Sequence, residues 1–229
     1  MDNGFVAGTL VHTDKGLVPI EQIKVGDLVQ SRHESGEGEL AYKLVTKTFF
    51  TANQPILAIE ISGKIKNSDS YKEEFLFTTA NHPFWTFTNS SRDAIDTSSG
   101  KWVSVSNLEM GSPLLRCDGE FAGIFDIRRL YNTTELDKAF YMVFPDYDAG
   151  VFLDVDSYRN SKLKVPNYLE DESLEVVNCD ENEDPIPDEY LTTVYSFEVD
   201  DYQTYFVGEL GVWVHSNDNT PEQWNSITN

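Results

Sequence analysis

The sequence predicts an all-β fold built from two related halves, on three observations. Apolar and polar residues alternate with a period of two through several separated segments. Helical spacing is confined to short turns. One stretch returns later in the chain at a constant offset of 85 residues.

In chain order, the opening run Phe5-Val6-Ala7-Gly8-Thr9-Leu10-Val11 leads to a short helical turn at Ile20–Ile23, which Gly26 can stop by taking positive φ. Strands are expected at Leu28-Val29, over Tyr42–Phe50, over Ile56–Ile61 and over Phe75–Thr79. A second helical turn, Val105–Leu108, is followed by Gly111. From about Asn132 to Asp188 the pattern breaks, and the segment reads as an insertion; whether Val151–Val155 adds strands is open. Strands resume near Tyr190, with Val194–Val199 and a final run Gly211-Val212-Trp213-Val214-His215. Trp102 and Trp213 read as core and edge packing rather than binding aromatics.

The repeat aligns Leu17–Val29 with Trp102–Leu114. Each copy holds an apolar strand, a buried turn residue (Ile23 or Leu108), a second buried residue two places on (Val25 or Met110) and a glycine leading into another strand. Two copies of this length imply two β subdomains related by a pseudo-two-fold, not a solenoid.

Composition narrows the function classes. A chain of 229 residues with 40% hydrophobic content can bury one substantial core or two small ones. The net charge of −22 repels phosphate backbones and anionic lipid, so neither nucleic acid nor membrane is expected as a partner. No apolar run approaches the roughly 20 residues that span a bilayer, and Met1–Asn3 lacks the basic start of a signal peptide. The acid crowds into Glu170–Glu175 and Asp180–Glu189, which reads as a solvated loop. Cys117 and Cys179 show no metal-ligand spacing, so neither a metal nor another cofactor is expected, and a lone pairing between them stays open. A calcium loop at Asp154-Val155-Asp156 is disfavoured, because Arg159 and Val165 stand where such loops need glycine and glutamate.

Histidines occur only at positions 12, 33, 82 and 215, so their settings are informative. Thr79 and His82, three apart at a strand-to-turn junction, can address one carbonyl, the hydroxyl by hydrogen bonding and the imidazole as general acid or base. His215 closes the last strand just before Ser216 and Asn217. An asparagine side chain can attack its own carbonyl, form a succinimide and break the chain after itself, provided a neighbour protonates the leaving amide.

These pieces together resemble the Hint domains of inteins and of bacterial polymorphic toxins. The opening Gly4–Thr13 with Gly16–Asp27 resembles the first block of that family, Thr79-Ala80-Asn81-His82-Pro83-Phe84-Trp85 its second, and Tyr205–His215 its last. The resemblance spans residues 4 to 131 and 190 to 217. It implies an all-β Hint (hedgehog/intein) horseshoe-like fold, with Gly4, Thr79, His82, His215, Ser216 and Asn217 converging on one site. It also implies single-turnover autoprocessing. The first residue attacks the preceding carbonyl, the Thr–His pair polarises that bond, and the penultimate histidine assists cyclisation of asparagine. The substrate is then the chain's own flanking segments, with a toxin or immunity protein as further partner and a monomer as the expected state.

The sequence departs from the family pattern at four places. Gly4 occupies the nucleophile position and has no side chain, which blocks the acyl shift at Asn3-Gly4. Ser216 separates His215 from Asn217, so either Asn217 acts from a shifted register or the C-terminal half is silent too. Gln203 stands for the family's histidine in the last hairpin, and Ser196 for the aspartate before it. The glycine fits an engineered substitution or a natural loss of chemistry; the intact remainder of the opening block favours substitution. The expected division is a flank at 1–3, a Hint domain at 4–217 with the acidic insertion 132–189 inside it, and a flank at 218–229. The competing reading, from another class, is a non-catalytic β scaffold or interaction module within a larger toxin-like chain.

Overall fold

Strands prevail among the described residues, as the period-two alternation requires. The computed structural model describes residues 3–91, 94–142, 150–160, 167–169, 176 and 187–216. In chain order the strands are β1 (Phe5–Val6), β2 (Leu10–Thr13), β3 (Gly16–Pro19), β4 (Leu28–Ser31), β5 (Ala41–Pro55), β6 (Leu57–Lys64), β7 (Tyr71–Thr78), β8 (Pro83–Ser91) and β9 (Ala94–Ser104). They continue as β10 (Pro113–Leu115), β11 (Phe121–Arg129), β12 (Tyr131–Asn132), β13 (Lys138–Met142), β14 (Gly150–Asp154), β15 (Asn167–Leu169), β16 (Leu191–Val199), β17 (Thr204–Val207) and β18 (Val212–His215). One helix, α1 (Val155–Asn160), and two 3₁₀ turns, Ile20–Gln22 and Val105–Asn107, complete the described elements.

Fourteen strands form one sheet, ordered β10-β11-β6-β7-β1-β16-β5-β4-β2-β17-β18-β8-β9, with β3 branching from β2. A pairing of Leu114 with Thr86 joins β10 to β8, so the sheet closes on itself. Closure satisfies backbone groups that an open sheet would leave at its edges. The main core fills the interior with Phe5, Val29, Ile59, Leu76, Phe84, Val207 and Val214.

The internal repeat is visible in the hydrogen bonds. Ile23 N–H donates to Ile20 O at 3.2 Å, and Leu108 N–H to Val105 O at 3.1 Å. Asp27 donates to Lys24 O and Ser112 to Glu109 O, both at 3.0 Å. Gly26 reaches Val45 O at 3.0 Å, as Gly111 reaches Ile124 O at 2.7 Å. Both glycines take positive φ, +96° and +83°, and thereby turn the chain into β4 and β10. Ile23 and Leu108 are buried in the core, whereas Val25 and Met110 are 62% and 71% exposed. The conserved geometry of the turn therefore rests on one apolar anchor per copy, not two.

Described residues of the segment 132–189 build a second sheet, ordered β12-β13-β14-β15. The Val151–Val155 question resolves into a strand that ends at Asp154 and runs directly into α1. Asp154 Oδ1 accepts from Ser157 N–H at 3.0 Å, which caps the helix, and its other oxygen pairs with Lys138 at 2.9 Å. A second core joins the two sheets through Val6, Phe77, Leu153, Tyr158 and Val194. Central strands are thus covered on both faces: Phe5 and Leu76 point into the main core, Val6, Phe75 and Phe77 into the second. Tyr158 is fully buried, and its hydroxyl lies 3.2 Å from Thr9 Oγ1. Most of the acidic stretch, and Cys179, lie outside the described residues.

Candidate active site

β1 is only two residues long, yet it is held on both sides, Phe5 pairing with Tyr195 of β16 and with Thr78 of β7. That pairing fixes Gly4. Its N–H donates to Thr79 Oγ1 at 3.2 Å, and its carbonyl accepts from Thr79 N–H at 3.1 Å and Thr78 Oγ1–H at 2.8 Å. The Thr79 hydroxyl therefore touches the nitrogen of the Asn3-Gly4 peptide. Gly4 is buried, and a Cβ built there would lie 2.9 Å from Tyr195 O and 2.9 Å from Val194 Cγ2. Its φ is not in the left-handed region, so space, not backbone strain, selects glycine.

His82 ends the turn that starts at Thr79, its N–H donating to Thr79 O at 3.2 Å. The imidazole packs among aromatic rings, 4.3 Å from Phe5, 5.9 Å from Phe84 and 6.4 Å from Tyr205 between centroids. Neither ring nitrogen has a hydrogen-bond partner among the described residues. Burial, reinforced by the nearby His215, pushes its pKa down to about 3. A neutral, unpartnered imidazole results, and it is a poor proton donor at neutral pH.

His215, wholly buried, is differently supported. Its Nε2 lies 3.0 Å from Glu34 Oε2, and the Trp102 ring meets it edge to face at 5.0 Å. Burial lowers its pKa, while the Glu34 hydrogen bond and charge oppose that shift. Gln203 O accepts from Ser216 N–H at 2.8 Å, and Gln203 itself has a φ of +53°. Ser216 lines an open cleft of about 330 Å³ with Thr46, Glu198, Asp200, Asp201 and Gln203. Ser196 pairs with Phe49 across β16 and β5. Asn217 lies outside the described residues.

Gly4, Thr79, His82 and His215 are thus gathered at one end of the last hairpin. The remaining histidines serve elsewhere: His12 Nε2–H donates to Gly208 O at 2.8 Å, and His33 packs against Tyr202 at 5.5 Å. Cys117, a free thiol, has its sulfur 3.9 Å from His12 Nδ1. Trp213 is fully buried, and Trp102 and Trp85 pack against it. No group of three or more metal-ligating side chains occurs among the described residues. Glu34 is the residue that sequence reasoning missed. It sits in a polar loop 181 residues from His215, with no local signal beyond the glycines that follow it.

Comparison with known families decides the assignment, because the pretoxin HINT domain matches residues 10–153, more than half of the chain. The chain belongs to the pretoxin HINT family. Like other intein-like domains, a pretoxin HINT domain acts on its own flanking polypeptide. The bacterial intein-like domain from Clostridium thermocellum shares the fold, with a TM-score of 0.53 at 24% identity over 94% of this chain and 99% of that one. A DnaB intein from Synechocystis sp. PCC 6803 aligns with a TM-score of 0.49 at 10% identity, again over 94% and 99%. No curated protein matches the chain.

Proposed function

We propose that this pretoxin HINT domain cleaves its own backbone at the C-terminal junction only, with His215 assisting cyclisation of Asn217, while the N-terminal half is silent. The observation that carries this reading is the unequal support of the two buried histidines: His215 has a carboxylate at 3.0 Å, and His82 has no partner among the described residues. A proton donor must tolerate its charged form, and only His215 is furnished for that. Gly4 supplies no nucleophile to the Asn3-Gly4 bond, so the Thr79 hydroxyl and His82 have no acyl shift to assist.

In the proposed step the Asn217 side-chain nitrogen attacks the Asn217 carbonyl carbon, and the bond to Asp218 breaks. The attacking nitrogen loses a proton, the departing nitrogen gains one, and a succinimide caps the upstream product. Ser216 sets Asn217 one residue further from His215 than the family pattern, so Asn217 acts from a shifted register. The backbone bond from Ser216 to Gln203 supports this, since it extends the pairing of the last hairpin by one residue and so carries the ordered strand up to the residue before Asn217. The domain spans residues 4–217 with 132–189 as an elaboration, within a larger toxin-like polypeptide.

The closure of Val194 and Tyr195 over Gly4 favours a glycine that belongs to this domain over a substituted cysteine, because the room for a side chain is missing along with the nucleophile. The test places the chain between two reporter proteins and follows intact mass at neutral pH. The expected result is a downstream product beginning at Asp218, an upstream product one water short of the acid, an uncut N-terminal junction, and no release from Asn217→Ala. A chain that stays whole refutes the reading and leaves the scaffold interpretation in its place.

A further inference from the structure

We propose that Glu34 is a positioning residue for His215, fixing the ring's orientation and which ring nitrogen carries the proton. The proposal rests on the C-terminal cleavage reading for its consequence, but not for its geometry.

Three contacts hold Glu34 where it is. Trp102 Nε1–H donates to the Glu34 carbonyl at 3.0 Å, while the same ring packs on His215. Ahead of Glu34, Ser31 Oγ lies 2.9 Å from Thr204 Oγ1, and Thr204 is the β17 residue paired with His215. Beyond it, Gly36 takes a φ of +84° so close to Trp85 that an added Cβ would sit 2.7 Å from the ring. A loop pinned at both ends and against two tryptophans leaves the Glu34 carboxylate at a defined place, 3.0 Å from Nε2. This differs from an exposed surface pair, because the Glu34 side chain is 32% exposed and the imidazole 0%.

The chemistry follows from the donor rule. A carboxylate can only accept, so Nε2 must carry the hydrogen, and in the neutral ring Nδ1 is then the basic nitrogen. Among the described residues, the titratable groups that bear on His215 include Glu34 from the loop and His82 from the turn after β7. The two imidazoles disfavour one another's charge, and among the described residues His215 has a carboxylate partner while His82 has none. Burial keeps His82 neutral, while at His215 the Glu34 hydrogen bond and charge oppose the same effect.

The test is nitrogen NMR of the histidine rings across pH in the full chain and in Glu34→Gln and Glu34→Asp, paired with release rates of a C-terminal reporter. In the unaltered chain neutral His215 is expected as the Nε2–H tautomer. In Glu34→Gln its titration moves to lower pH, and Glu34→Asp restores part of the shift. Reporter release slows by about tenfold or more in Glu34→Gln, and the limb of its pH profile that depends on His215 moves to lower pH. An unchanged tautomer and titration in both variants overturns the proposal. If the rings respond as expected while the unaltered chain never releases its reporter, the positioning role stands and the cleavage reading falls.

Discussion

Adding a single methyl group at Gly4 tests whether the N-terminal site has lost its room as well as its nucleophile. In Gly4→Ala the new Cβ meets Tyr195 O and Val194 Cγ2 at 2.9 Å and Val194 Cβ at 3.0 Å. One of these is backbone in a paired strand, and the others belong to a β-branched side chain only 1% exposed. Overpacking of this kind costs about 1–3 kcal/mol. Loss of glycine's freedom in the unfolded chain offsets about 0.4–1 kcal/mol. At mid-range the net destabilisation is roughly 1 kcal/mol, or about 2–4 °C in Tm for a domain of this size. Val194→Ala alone also destabilises, by about 1–3 kcal/mol, because it empties buried space. The double variant should cost about 0.5–1 kcal/mol less than the sum, since shortening Val194 removes its Cγ2 contact while the contacts with Tyr195 O and with Cβ of residue 194 remain. Urea denaturation of all four chains measures that coupling. A neutral or stabilising Gly4→Ala, or strictly additive costs, refutes the argument that packing selects glycine here.

The buried Glu74 makes stability fall as pH rises. Burial pushes its pKa from 4.5 up to about 7, despite hydrogen bonds from the Glu209 and Leu210 N–H groups. Its protonated form is favoured in the fold, so its contribution is full below about pH 4.5 and is lost as pH climbs through 7. Unfolding free energy at pH 5 against pH 8 should differ by about 2–3 kcal/mol less in Glu74→Gln than in the parent; equal differences would refute this. His82 carries the opposite dependence, its pKa being depressed to about 3, so its contribution is present above about pH 6.5 and fades in acid. His82→Phe should stabilise by about 1–2 kcal/mol at neutral pH by removing unpartnered nitrogens, with a gain that widens below pH 6.5. A loss of stability, or a gain independent of pH, would show that those nitrogens are paired in solution.

Much of the fold was legible because its signals are local. The turns anchored by Ile23 and Leu108, the glycines at 26 and 111, and the alternation in β5, β6, β7 and β16 each depend on residues close in sequence. Thr79, His82 and His215 were legible because catalytic residue types stood at strand ends in a histidine-poor chain. What escaped depends on distant packing. Val25 and Met110 look like core anchors by pattern but are exposed, while Ile23 and Leu108 two places earlier are buried. Glu34 lies among Arg32, His33, Ser35, Gly36 and Glu37, a composition that reads as solvated loop until Trp102 and His215 are brought against it. The closure over Gly4 comes from Val194, 190 residues away, and no periodicity encodes it.

The double flanking of β1 has a mechanical consequence. A pull on the polypeptide upstream of residue 4 meets a strand bonded on one side to β16 and on the other to β7, with two further donors on the Gly4 carbonyl. Such a strand cannot be peeled away one bond at a time from a free edge; bonds on both flanks must shear together. Tension on the upstream segment therefore falls first on the Gly4 bonds to Thr78 and Thr79, and β1 passes what remains into the closed sheet, so strain carried by the neighbouring polypeptide is focused on the Asn3-Gly4 junction.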